Sequence, residues 1–135
     1  MRRRSSVYES EPWGGAEGEN FYNAVLEFER QGSAHEFLQT LLAVEDQLGR
    51  SRDRAYAPRT CDLDLLLWGD DVIDAPQIVV PHPRMTQRKF VLVPLCDLIP
   101  DVLHPVIGRT MAELLAECPD PLSVWRITSP SSSQS

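Results

Sequence analysis

The run Asp62-Leu63-Asp64-Leu65-Leu66-Leu67-Trp68 constrains this chain more tightly than any other stretch. Its residues alternate. Asp62, Asp64, Leu66 and Trp68 fall on one side and Leu63, Leu65 and Leu67 on the other, which is the period of a β-strand. The spacing therefore predicts a strand over 62–68 with two carboxylates on one face and a leucine face held in a core. Residues two apart on a strand lie roughly 6.5–7 Å apart at Cα, close enough for both acids to hold one metal, or a pair of metals bridged by phosphate. Two carboxylates side by side repel each other, so a cation between them makes the arrangement reasonable. An Asp-x-Asp pair is not specific by itself: it occurs in nucleotidyltransferases and glycosyltransferases, and also as a solvated pair of strand or turn acids.

The basic residues sharpen that reading. Across 135 residues the net charge is −7, yet Arg50, Arg52, Arg54 and Arg59 fall close together just ahead of the acids, opposed within the cluster only by Asp53. The acidic balance argues against general nucleic-acid binding, which leaves a basic footprint, and a basic island in such a chain suits a small polyanion. Two acids, several arginines and no covalent nucleophile fit metal-assisted phosphate chemistry, with arginines gripping phosphate oxygens bidentately. No Gly-x-x-x-x-Gly-Lys-[Ser/Thr] string is present, which excludes a P-loop.

With 42% apolar and 24% charged residues, the chain reads as one globular domain over 1–128, followed by a polar disordered tail over 129–135. The three cysteines, Cys61, Cys96 and Cys118, are odd in number and follow no ligand spacing, the pattern of reduced cytoplasmic thiols. No apolar run approaches the ~18–20 residues of a membrane span. Met1-Arg2-Arg3-Arg4 is followed by no apolar segment of a signal peptide, and the expectation is a protein neither secreted nor inserted.

Along the chain, a short strand is expected over 5–9, then a Gly- and Glu-rich loop over 10–20 carrying Trp13 as a possible lid. Residues 21–30 alternate, with Tyr22, Ala24, Leu26 and Phe28 on the greasier face and Phe21, Asn23, Val25 and Glu27 on the other. Ser33-Ala34-His35-Glu36 forms a capping box opening a helix to Leu48, where Gly49 is expected to stop it. A strand over 77–80, a helix over 85–98 ended or kinked by Pro94, a second capping box at Thr110-Met111-Ala112-Glu113 and a last strand over 123–128 complete the reading.

The strings Leu48-Gly49-Arg50-Ser51-Arg52, Ala57-Pro58-Arg59-Thr60-Cys61-Asp62-Leu63-Asp64-Leu65-Leu66, Val80-Pro81-His82-Pro83-Arg84-Met85 and Arg88-Lys89-Phe90-Val91-Leu92-Val93-Pro94-Leu95, with Ser5 to Gly14 and Phe21-Tyr22-Asn23-Ala24-Val25 upstream, together resemble hydroxymethyldihydropterin pyrophosphokinase of the folate pathway. The resemblance covers nearly the whole chain. It implies a ferredoxin-like α/β (α+β) fold, an antiparallel sheet with helices packed on it. It also implies a monomer with small-molecule partners, binding neither nucleic acid nor membrane, that moves pyrophosphate from ATP to the pterin and releases AMP.

Residue by residue, the resemblance implies that Asp62 and Asp64 hold two Mg2+ ions bridging the ATP phosphates. Arg50, Arg52 and Arg59 close on those phosphates, His82 and Arg88 contact them, and Leu65, Ile78 and Val79 surround the adenine. Phe21 and Phe90 sandwich the pterin, Asn23 bonds its edge, and Ser10 lines its pocket. His82 between two prolines also fits a simple turn residue, and Arg54 a surface charge. The usual Arg-Trp-Gly-Pro-Arg reads Ala55-Tyr56-Ala57-Pro58-Arg59 here, which places Tyr56 where the family has tryptophan and removes one loop arginine.

The family also opens with a strand, a Gly-Ser-Asn turn and a helix that do not precede Met1 in this sequence. That strand is implied to lie between the Phe21 and Asp62 strands. A start codon assigned too late, a truncated and inactive remnant that binds nucleotide or a partner, and a repacked sheet are the three accounts of this; the first is favoured because the site residues are mostly intact.

Overall fold

The computed structural model describes residues 1–11, 20–51 and 63–127. The Trp13 loop, the arginine-rich segment with Cys61, and the serine-rich tail lie outside the described residues. The chain divides into two compact units, Met1–Glu29 with Arg84–Ser135, and Arg30–Pro83. Among the described residues, the strands form only small antiparallel sheets, and three α-helices accompany them, an α+β arrangement.

In the first unit, β1 (Arg3–Arg4) pairs with β4 (Leu26–Glu27), while β2 (Tyr8–Ser10) lies between β3 (Phe21–Asn23) and β7 (Val124–Arg126). The expected strand over 5–9 begins only at Tyr8, and at Ser5 a side chain does the work of a backbone group. The Ser5 N–H donates to Val25 O at 2.8 Å, and the Val25 N–H donates to Ser5 Oγ at 2.9 Å. A hydroxyl that takes a ladder bond interrupts the regular pairing.

Two helices complete this unit, α2 (Lys89–Leu98) and α3 (Met111–Ala116), with a short 3-10 turn at Met85–Gln87. α2 packs on β2, β3, β7 and α3. Met85, Leu92, Pro94, Leu95, Met111 and Leu114 are buried, each large apolar side chain contributing roughly 1.5–3 kcal/mol by leaving water. Thr110 caps α3 with the expected reciprocal bonds to Glu113.

The single helix expected over 85–98 is instead broken at Arg88, whose backbone is extended at φ −124° and ψ 104°. Pro94 does not end α2, which continues to Leu98. The interruption lies at the helix entry, where the Lys89 N–H donates to Asp120 Oδ2 at 3.0 Å, a distant cap invisible to local propensity.

The second unit holds α1 (Ala34–Ser51) and the hairpin of β5 (Ile73–Ala75) and β6 (Ile78–Val80). Ser33 and Glu36 form the expected capping box, but Gly49 does not stop the helix; an interior glycine costs only about 1 kcal/mol. Ala34, Trp68, Ile78 and Val80 form the core, joined by Phe37, Leu38, Leu65, Ile73 and Ala75. Leu42 and Val44 are exposed, because at 100° per residue they lie about 80° to either side of the Ala34 stripe.

The expected strand over 62–68 is not formed: Leu63 to Trp68 joins no ladder among the described residues. Leu65 and Trp68, which strict alternation would place on opposite faces, both pack into the same core. Without a paired neighbour nothing holds a period of two. Among the described residues, no helix is long and apolar enough to cross a membrane.

Candidate functional site

Five expected site residues, Ser10, Phe21, Asn23, Arg88 and Phe90, lie in the first unit, and the strand register determines how three of them meet. Ser10 pairs with Phe21 and Tyr8 with Asn23 across β2 and β3. Directly opposed residues project to the same side of a sheet, so Tyr8, Ser10, Phe21 and Asn23 share one face. That face is turned to α2, since the Tyr8 hydroxyl donates to Asp97 Oδ1 at 2.8 Å. Burial and this bond push the Tyr8 pKa up to about 12, so the hydroxyl keeps its proton.

Beside this anchored tyrosine, two buried polar atoms have no hydrogen-bond partner among the described residues: Ser10 Oγ and Asn23 Nδ2. Ser10 is 0% exposed. Buried polar groups are overwhelmingly paired, and leaving one bare costs roughly 1–3 kcal/mol. Phe21, 44% exposed, lies on the same face. Phe90, in the first turn of α2, is half-buried with the Arg88 guanidinium 5.8 Å from its ring centre. The combination of a rigid sheet, two bare polar atoms and accessible rings suits a flat heterocycle with a polar edge.

On the opposite side of β3, Tyr22 is exposed, and Leu26 and Phe28, further along the same alternation, are exposed as well. Glu9 organises that side by accepting from Asn20 Nδ2, Tyr22 Oη and Trp125 Nε1 at 3.0, 3.4 and 3.2 Å. A carboxylate with three donors keeps these aromatic residues in a polar surface network.

Apart from Arg88, the residues expected to meet nucleotide and metal belong to the second unit. Asp64 is exposed, while Leu65 packs against the core. The Leu66 carbonyl accepts from the His82 N–H at 2.8 Å, which ties the histidine backbone to the segment carrying Asp64. Ile78 is a buried core residue, whereas Val79 is 40% exposed on the outer side of β6. Arg50 falls within α1, and Arg52, Arg59 and Asp62 lie outside the described residues.

The end of the acid-bearing segment is firmly seated. Trp68 meets Phe37 with ring centres 5.7 Å apart, and Arg30 lies over the Trp68 ring while pairing with Asp71 at 2.7 Å. Gly69 turns the chain there with φ +56°, and a Cβ at this position would come within 2.7 Å of the Arg30 guanidinium. No cluster of three or more His, Cys, Asp or Glu able to hold a metal occurs among the described residues.

The model of the family described as 7,8-dihydro-6-hydroxymethylpterin-pyrophosphokinase matches residues 1–100. The chain belongs to this pyrophosphokinase family. It is similar to the 2-amino-4-hydroxy-6-hydroxymethyldihydropteridine pyrophosphokinase of Pseudomonas aeruginosa, 44% identical over 85% of this chain and 70% of that protein. The enzymes of the same name from Synechocystis and Bacillus subtilis are 38% and 40% identical over 94% and 73% of this chain. The matched stretch spans 64% and 59% of those two proteins.

Within this pyrophosphokinase framework, two supporting carboxylates escaped the sequence reading. Glu45 Oε2 accepts the Leu63 N–H at 2.5 Å, which fastens the residue preceding Asp64 to α1. A signal for it existed: by 100° steps Glu45 falls only about 20° from Ala34, in the middle of the apolar stripe, where an acid requires a partner. Asp120 is the second. It reads as a loop acid in Pro119-Asp120-Pro121, and no local pattern points to the helix it caps.

Proposed function

We propose that this chain transfers a pyrophosphoryl group from ATP to the hydroxymethyl oxygen of 6-hydroxymethyl-7,8-dihydropterin. The substrate hydroxyl oxygen attacks the β-phosphorus, the bond from that phosphorus to the bridging oxygen of the α-phosphate breaks, and AMP leaves with the electron pair. The hydroxyl proton passes to solvent. Family membership supports the reaction class, and one observation in this chain carries the substrate assignment: the unpartnered buried atoms Ser10 Oγ and Asn23 Nδ2 beside Phe21 on the face turned to α2. Asn23 Nδ2 can donate to a ring nitrogen or carbonyl, and Ser10 Oγ can donate or accept. Phe21 and Phe90 supply stacking surface.

On the nucleotide side, Asp62 and Asp64 would hold two Mg2+ ions; their hard carboxylate oxygens fit that cation. Bound there, the ions neutralise phosphate charge and polarise the transferring group. Arg50, Arg52 and Arg59 would grip phosphate oxygens, with His82 and Arg88 as further contacts. Leu65, Ile78 and Val79 would border the adenine, Ile78 through packing because it is buried. The test is AMP formation from ATP and Mg2+ with and without the dihydropterin. Pterin-dependent AMP is expected, and AMP no greater than in the pterin-free control would overturn the proposal.

A further inference from the structure

Asp120 lies beyond the residues matched by the family model and is 6% exposed. Its carboxylate joins two parts of the first unit. Oδ2 accepts the Lys89 N–H at 3.0 Å, and Oδ1 accepts the Leu122 N–H at 2.9 Å. The next residue, Ser123, is bonded to the end of β2: its N–H donates to Glu11 Oε1 at 2.7 Å, and its carbonyl accepts the Glu11 N–H at 3.2 Å. β7 begins at Val124, directly opposite Ser10. Residues 120–123 thus form a strap with one end on the first turn of α2 and the other on the residue following Ser10.

The two ends of this strap carry the expected pterin contacts. Phe90 is the second residue of α2, and its helix has no cap of its own, because the Arg88 side chain makes no cap bond. The first N–H groups of a helix have no intrahelical acceptor, so the direction in which α2 enters, and with it the position of Phe90, depends on an outside acceptor. Asp120 supplies it. At the other end, Glu11 fixes the strand that positions Ser10 opposite Phe21.

We propose that Asp120 is a positioning residue for the pterin pocket, holding Phe90 at a fixed offset from the Ser10, Phe21 and Asn23 face. The proposal rests on the assignment of pterin as the substrate. It places a determinant of pterin affinity in a loop acid that contacts no substrate.

The test uses the full chain with Asp120→Ala and Asp120→Asn. Asparagine retains one acceptor oxygen and can keep the Lys89 bond while losing the Leu122 bond. Binding of 6-hydroxymethylpterin is measured with Mg2+ and a non-hydrolysable ATP analogue present, and binding of the analogue is measured separately. Asp120→Ala is expected to weaken pterin binding about tenfold, the scale of a lost helix cap, with analogue affinity unchanged. Asp120→Asn is expected to fall between Asp120→Ala and the parent chain, with faster hydrogen exchange at the Leu122 amide than at Lys89.

Equal weakening for both ligands, or unchanged pterin affinity in Asp120→Ala, overturns the positioning role. A parent chain that binds the analogue but not the pterin overturns the substrate assignment instead, and with it this proposal, before any variant is compared.

Discussion

The two units prepare their ligand-facing residues in opposite ways. The first unit buries its polar atoms: Ser10 Oγ and Asn23 Nδ2 have no partner among the described residues, beside a tyrosine anchored to Asp97 on α2. The second unit leaves Asp64 exposed and fixes the backbone around it, through Glu45 on Leu63, His82 on Leu66 and Arg30 over Trp68. The contrast follows from the ligands proposed for each. A neutral heterocycle is selected by desolvated donors that remain unpaired if the wrong ring enters. Phosphates and metal ions are held by charge, and a bare carboxylate buried without its cation would be prohibitively costly.

Substitutions at the acids break the comparison most severely. Asp64→Ala or Asp62→Ala is expected to reduce AMP formation by at least about a hundredfold, the scale of losing one preorganised charge-stabilising group, with little change in the melting of the ligand-free chain. Turnover within a few-fold of the parent would remove the metal role from that acid. The proposed pterin face comes next. Phe21→Ala and Phe90→Ala are each expected to cost roughly 1–3 kcal/mol in pterin binding, the range for a base stacked on an aromatic ring, while nucleotide binding is retained. Indifference to both substitutions favours another metal-dependent nucleotidyl enzyme built on the same acid pair.

Smaller effects test the scaffold. Thr110→Ala removes the cap that accepts the Glu113 N–H at 3.1 Å and is expected to lower stability by about 1 kcal/mol in urea titration. The smallest effect expected is a pH dependence at His104, whose Nδ1 accepts the Val106 and Ile107 N–H groups at 3.2 and 3.1 Å. Burial holds its pKa below the usual 6.5. The neutral form is therefore favoured in the folded state, so this stabilisation is complete above the unfolded value and is lost as pH falls below it toward the folded one. Urea midpoints between about pH 7.5 and 5.5 should fall, and His104→Asn, which retains an acceptor, should flatten the decline.

Much of the scaffold was legible locally. Both capping boxes, at Ser33 and Thr110, form as their spacing predicts, because a cap is satisfied within four residues. The set proposed to face the pterin was legible only in part. Phe21 and Asn23 share a face as the alternation predicts, but nothing along the chain shows that this face, rather than the greasier one carrying Tyr22, turns to α2. The face a short strand buries depends on its neighbours, here Tyr8 across the ladder and α2 above it. From Leu63 to Trp68 the alternation is absent for a related reason: a period of two persists only when a partner strand enforces it.

By itself, the sequence determined the family, through the string from Pro58 to Leu66 and the motifs around His82 and Phe90, together with the helices that carry their own caps. Only the tertiary structure decided where α2 begins, which face of β3 turns to it, and that Glu45 and Asp120 brace the segments bearing Asp64 and Phe90. Caps and periodicities act over a few residues and can be read along the chain. The Lys89 N–H, by contrast, finds its acceptor 31 residues away and the Leu63 N–H finds its own 18 residues back, pairings that exist only once the chain has folded.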